Sequence, residues 1–307
     1  MHDNFVVVAG DCKELQNGHS SARDWFMNIV MHANNPDLTA QLGRLPGGGG
    51  DTAQGFYIIG ADGTYYGWDN SHYLPNVIKF IDKGLSDFHK RPPAHIEIAD
   101  SQLSERFSAS PDATTSVVRV FNRISPLPDG CDELNKSVGR DHLWIYADEV
   151  QQLLAASNSS AQFPLPKTLV GRLVRFHLID NVRGEPDQWQ PSDIKQADFS
   201  ANLITTTAHA KRFHFAAKYG QEAADHQRGQ TGQLEGTFDV LTDTGKVANF
   251  RAYGKAVAWG RSTWTPGEPK GKFALVTAMV SADDPTSQVV PPQFYWGNGD
   301  GYRNAGL

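Results

Sequence analysis

From Ala197 onward the chain alternates apolar and polar residues in short runs broken by glycine, and this period of two constrains the fold more than any other feature. In KRFHFAAKY, Phe213 and Phe215 fall on one face and His214 on the other. ADFSANL alternates Phe199, Ala201 and Leu203 with polar neighbours, ahead of a threonine run suited to a strand. GQLEGTFDVLTDTGKVANFRAYGKAVAWG reads as a strand, a Thr-Asp-Thr-Gly turn and a return strand, and KFALVTAMV as one more. Strands spaced about ten residues apart with glycine turns predict a twisted antiparallel sheet or a partly closed barrel. Such a sheet can hold a small ligand at its mouth or inside. Trp259, Trp264, Phe294, Tyr295 and Trp296 would offer flat apolar surface there, although the same rings serve equally as core and edge cover.

The front half has a different texture. Phe5–Gly10, FVVVAG, reads as a buried strand. In SSARDWFMNIVMHA, Ala22, Trp25, Phe26, Ile29, Val30 and Ala33 fall on one stripe of a 3.6-residue period, which predicts a helix. Four glycines, Gly47 to Gly50, precede Asp51-Thr52 rather than Gly-Lys-Ser/Thr, so they read as a flexible surface loop and not a phosphate cradle. GFYIIGADGTYYGW is a hairpin, and Leu74–Phe88 a second amphipathic helix with Pro75 in its first turn. The order strand, helix, hairpin, helix over residues 5 to 90 resembles the back portion of a thioredoxin fold. The resemblance implies an α/β thioredoxin-like domain in residues 1–92. It departs from that family in having no CxxC, and Thr52-Ala53-Gln54-Gly55 stands where a cis-proline is usual. Disulfide exchange is therefore not expected. Pro92-Pro93 marks the boundary to a mainly antiparallel β domain, residues 93–307, with a helical insertion near 146–156.

Charge and composition narrow the function classes. The 307 residues carry a net charge of −6, and no basic cluster is denser than Lys90-Arg91 or Lys211-Arg212, which argues against a nucleic-acid partner. No run of 18 apolar residues occurs, so no membrane span is expected. The opening MHDNFVVVAGD lacks a signal-peptide pattern, which points to the cytoplasm. In that compartment Cys12 and Cys131 are expected as two free thiols, a single Cys12–Cys131 disulfide being the alternative. Cys12, with Lys13 beside it and His19 close in sequence, is a candidate nucleophile. The alternative is a small semi-buried residue at a turn.

The stretch from Gly139 to Trp189 holds the densest mixture of histidine, acid, arginine and tryptophan. His142, Trp144, His177, Asp180, Arg183 and Glu185 are its candidate site residues. His142, His177 and Asp180, with His214 or His209, are the right types for a divalent transition metal such as zinc, copper or iron. No HExxH or His-x-His pair supports this, and histidines flanked by apolar residues are commonly core groups with one satisfied hydrogen bond. Arg183 and Glu185 could equally form a loop ion pair. Four blocks in order, GRDHLW, RFHLIDNVRGEP, AWGRSTWTPGEPKGKFAL and VPPQFYW, resemble an uncharacterised bacterial group that joins a thioredoxin-like N-terminal part to a β-rich C-terminal part. That resemblance spans residues 139 to 300 and implies architecture without an activity. The function expected is binding of a small molecule, a metal or a protein partner by the β-rich domain, with a redox-inactive front domain. The alternatives are a metal-dependent hydrolase or oxidoreductase using histidines of residues 139–214, and a single-cysteine redox protein using Cys12.

Overall fold

The computed structural model describes residues 5, 12–17, 21–38, 53–71, 73–94, 111–129, 131, 133–184, 186–262, 265, 269, 271–284, 290–295 and 299–307. The chain divides into two compact units, Met1–Ser104 and Glu105–Leu307.

In the first unit, α1 (Cys12–Asn17) and α2 (Ser21–Met31) precede a hairpin of β1 (Phe56–Ile59) and β2 (Tyr65–Asp69), followed by α3 (Leu74–Lys90). Helix α2 buries Phe26, Ile29 and Val30, while Trp25 on the same expected stripe is 50% exposed. Strands β1 and β2 pair antiparallel, and the edge-to-face contact of Tyr57 with Phe26, 5.0 Å between centroids, ties the hairpin to α2. Gly84 lets α3 approach β1, because a Cβ there would lie 2.2 Å from Ile58 Cδ1.

This arrangement corrects the expected α/β thioredoxin-like domain. Among the described residues the protein is mostly β, with few helices, and the front unit's sheet has only two strands. The strand expected over Phe5–Gly10 lies, apart from Phe5, outside the described residues. Periodicity identifies strands and helices one at a time; it does not state which strands share a sheet, and the resemblance rested on their order alone.

The second unit is one antiparallel sheet of eight strands. They are β3 (Ser116–Ile124), β4 (Gly139–Ile145), β5 (Phe163–Pro164), β6 (Ile194–Thr206), β7 (Ala210–Glu222), β8 (Gly229–Leu241), β9 (Val247–Trp259) and β10 (Lys272–Ser281). Their spatial order, β4-β3-β10-β9-β8-β7-β6-β5, leaves β4 and β5 as edges. Strands β6 to β10 form a meander of sequence neighbours, whereas β3 joins it only through β10, with Thr277 opposite Asn122. Alternation sends Phe213, Phe215, Ala217 and Tyr219 of β7 into the core, and Phe213, Phe238 and Phe250 stack across three adjacent strands.

The same core contains Val150 and Leu153 of α4 (Ala147–Ser157), Leu169 and Val170 of α5 (Lys167–Arg172), and Leu173 and Val174 of a π-helical turn (Leu173–His177). A π turn disturbs the regular carbonyl pairing of a helix. Here two inward-facing glutamines of β7 and β8 answer it. Gln221 donates to Val174 O at 2.9 Å, and Gln230 donates to Leu178 O. A short helix α6 (Gly299–Arg303) and the residues after it cover the far side of α5. No helix among the described residues is long and apolar enough to cross a membrane.

Candidate functional site

Residues 178–184 and 186–189, following the π turn, run past the end of the sheet where β8 begins, β9 ends and β10 begins. Between them lies a small cleft, partly open to solvent. Register brings its floor together, since Gly229 pairs with Trp259, Gln230 with Ala258, and Ala258 with Phe273. Gly229 is required there because a Cβ would stand 2.2 Å from the Trp259 ring. Gly260 turns the chain out of β9 at φ +73°, a conformation that disfavours any side chain.

Three arginines and one aspartate line the cleft: Arg183, Arg228, Arg261 and Asp180. The Arg183 side chain is almost wholly buried. Its Nε donates to Asp180 Oδ2 at 2.7 Å, its Nη2 donates to the same oxygen and to Gly260 O at 3.1 Å, and its guanidinium lies over the Phe273 ring. Its Nη1 is buried with no acceptor among the described residues. The buried Trp189 indole N–H is in the same position. Arg228 stacks on Trp189 with 3.9 Å from guanidinium carbon to ring centroid, and its Nη1 donates to Asp187 O at 2.8 Å. Loss of water lowers the Arg228 pKa, while Asp187, Asp193, Asp180 and Asp225 oppose the shift. The wall is thus cationic and aromatic, with hydrogen-bond donors to spare.

A second polar group is buried in the same unit. Tyr302, fully buried, accepts Trp144 N–H at 3.3 Å and lies 2.7 Å from His177 Nε2. His177 Nδ1 is 2.9 Å from Asp141 Oδ2 but out of line for a hydrogen bond. Asp141 Oδ1 accepts the N–H groups of His142 and Gln293, at 2.7 and 2.8 Å. Burial raises the Tyr302 pKa well above 10, and its hydroxyl stays protonated. Nearby, Arg172 pairs with Glu149, donates to Arg303 O at 2.9 Å and lies over the Tyr146 ring. Together these buried groups hold the C-terminal residues to the core.

The residues singled out in sequence are therefore divided. Asp180 and Arg183 line the cleft, and Glu185 lies outside the described residues. His177 is buried against Tyr302, and Trp144 packs with Phe176, Tyr295 and Tyr302. His142 and His214 share one row on the outer face of the sheet, but β3, β10, β9 and β8 lie between them, roughly 24 Å in all. Among the described residues no three His, Cys, Asp or Glu side chains gather where a metal could bind. Cys12 is half-buried in the first unit near Tyr57, whose pKa is raised by burial first and by Cys12 second. His19 is outside the described residues. Trp259 lines the cleft, whereas Phe294 and Tyr295 join the cluster around Trp144, and Trp264 and Trp296 are not described.

The expected set omits Arg228, Trp189, Asp141 and Tyr302. Alternation could have signalled Asp141, because it puts Asp141 and His142 on opposite faces of β4. Compared with family models, curated proteins and solved structures, the chain matches none.

Proposed function

We propose that the second unit binds a small organic anion, a carboxylate carried on a flat apolar group, in the cleft between the Asp180–Trp189 segment and the ends of β8 and β9. The observation that carries this reading is the pair of buried donors, Arg183 Nη1 and Trp189 Nε1, with no acceptor among the described residues. Leaving a buried donor unpaired costs about 1–3 kcal/mol, and a ligand oxygen removes that cost. Arg228 adds a positive charge already stripped of part of its water, so an anion meets less desolvation penalty than at an exposed arginine. The Trp259 ring over Gly229 supplies the flat apolar wall.

Calorimetry with benzoate and benzamide tests it, since the two share shape and differ in charge. Benzoate is expected to bind and benzamide to bind at least tenfold more weakly. Arg228→Gln should weaken benzoate about tenfold or more, the size of a lost charge-assisted hydrogen bond. Equal affinity for both compounds, no heat with either, or an unchanged affinity in a folded Arg228→Gln protein would each reject the reading. The metal and thiol alternatives have no comparable support from the positions of His142, His177, His214 and Cys12.

A further inference from the structure

The face of the eight-stranded sheet turned away from the core has a patterned centre. Ala278 of β10 stands opposite Phe121 of β3 on one side and Tyr253 of β9 on the other. The row two residues earlier along β10 reads Arg123, Val276, Lys255; the row two residues later reads Arg119, Val280, Arg251. Two rings about 10 Å apart are thus framed by four cations, with small aliphatic side chains between them. Tyr253 is 56% exposed, and Arg123, Arg251 and Lys255 are exposed with no ion-pair partner among the described residues. Arg119 lies over the Phe121 ring at 6.0 Å and 3.7 Å from Asp284, and Arg140 faces Phe121 from β4. Among the described residues of these rows, the acids facing these five cations are Glu235, beside Tyr253 on β8, and Asp284, in a chain whose net charge is −6.

We infer that this face binds single-stranded nucleic acid, with bases stacked on Tyr253 and Phe121 and phosphates held by Arg123, Arg251 and Lys255. Unpaired bases present flat π-faces, and a shallow sheet with rings set among cations matches a strand's alternation of base and phosphate. A lipid surface calls for protruding apolar side chains, but Val276 and Val280 are half-buried between their neighbours. An acidic peptide would use the cations and leave the rings idle. The face was invisible in sequence because no two of its cations are adjacent there; strand register assembles them, and a search for basic runs passes over it.

Fluorescence anisotropy tests the inference on the full chain. The probes are labelled single strands of about 12 nucleotides, a duplex of the same sequence, heparin and a poly-glutamate peptide, at low salt near ~50 mM. The single strands are expected to bind more tightly than the other three. Tyr253→Ala should weaken them roughly tenfold with an unchanged melting midpoint. The double change Arg123→Gln with Lys255→Gln should lower the slope of log affinity against log salt by about 1.4, at about 0.7 for each phosphate no longer neutralised. No binding of single strands would overturn the inference. So would tighter binding of duplex, heparin or poly-glutamate, or an affinity that Tyr253→Ala leaves unchanged.

Discussion

His177 Nε2 lies 2.7 Å from the Tyr302 hydroxyl, which ties the π turn to a helix 125 residues further along the chain. Tyr302→Phe keeps the ring contacts with Phe176 and Tyr295 and removes only the hydroxyl. It leaves His177 Nε2 and Trp144 N–H without that partner in a buried site. Stability should fall by about 1–3 kcal/mol, read as a lower urea midpoint with an unchanged slope. A midpoint equal to wild type would mean that this hydroxyl does not hold the C-terminal helix in place.

His142 gives a signed pH dependence. Burial, the largest influence, holds its imidazole below the usual 6.5, with Arg119 and His177 pushing the same way and Asp141 and Asp284 pulling against them. The unfolded chain therefore takes up this proton more readily than the folded one. The resulting stability is complete above about 6.5 and is lost as pH falls below it toward the folded value. His142→Gln should narrow the gap in urea midpoint between about pH 7.5 and about pH 5.5. A gap of unchanged size would assign the acid sensitivity to other groups.

Gly171 sits inside α5, where alanine would ordinarily stabilise a helix by about 1 kcal/mol. Here a Cβ would lie 2.2 Å from Ala305 O. Gly171→Ala is expected to destabilise the unit and to speed hydrogen exchange in residues 299–307. A higher melting midpoint would show that the C-terminal segment gives way freely.

Phe238 tests the core. Its ring stacks on Phe213 and Phe250, with centroids 5.3 and 5.8 Å away. Phe238→Ala should cost about 3–5 kcal/mol in denaturant unfolding, and Phe238→Leu clearly less. Equal losses would mean that a collapsed neighbour, rather than a cavity, sets the penalty.

The strands of the second unit were readable because each is half-buried, so the period of two in KRFHFAAKY survives as Phe213 and Phe215 inward and His214 outward. The thioredoxin-like expectation failed because it needed a pairing between strands, and the described hairpin Phe56–Asp69 pairs only with itself. Trp25 shows the same gap at the scale of one helix: the stripe was right in phase, but burial depends on what lies opposite. At the cleft, Asp180 and Arg183 stood out as a polar turn after an apolar run. Arg228 and Trp259 are strand-end residues that only register brings to them. Tyr302 lay in a glycine-rich tail with no periodic signal, although it is among the most deeply buried side chains of the protein. Counting histidines could not show that His142 and His214 sit at opposite sides of one sheet face.

The sheet's strand order also dictates when the protein can finish folding as it is made. The meander from β6 to β9 can close as it leaves the ribosome, each strand meeting the one just before it. The β3–β4 pair, synthesised earlier, has no place in that sheet until Lys272–Ser281 emerges to bridge Ile124 and Trp259. A nascent chain arrested before that point would present two separate pieces of sheet with unpaired edges, open to chaperones and to each other.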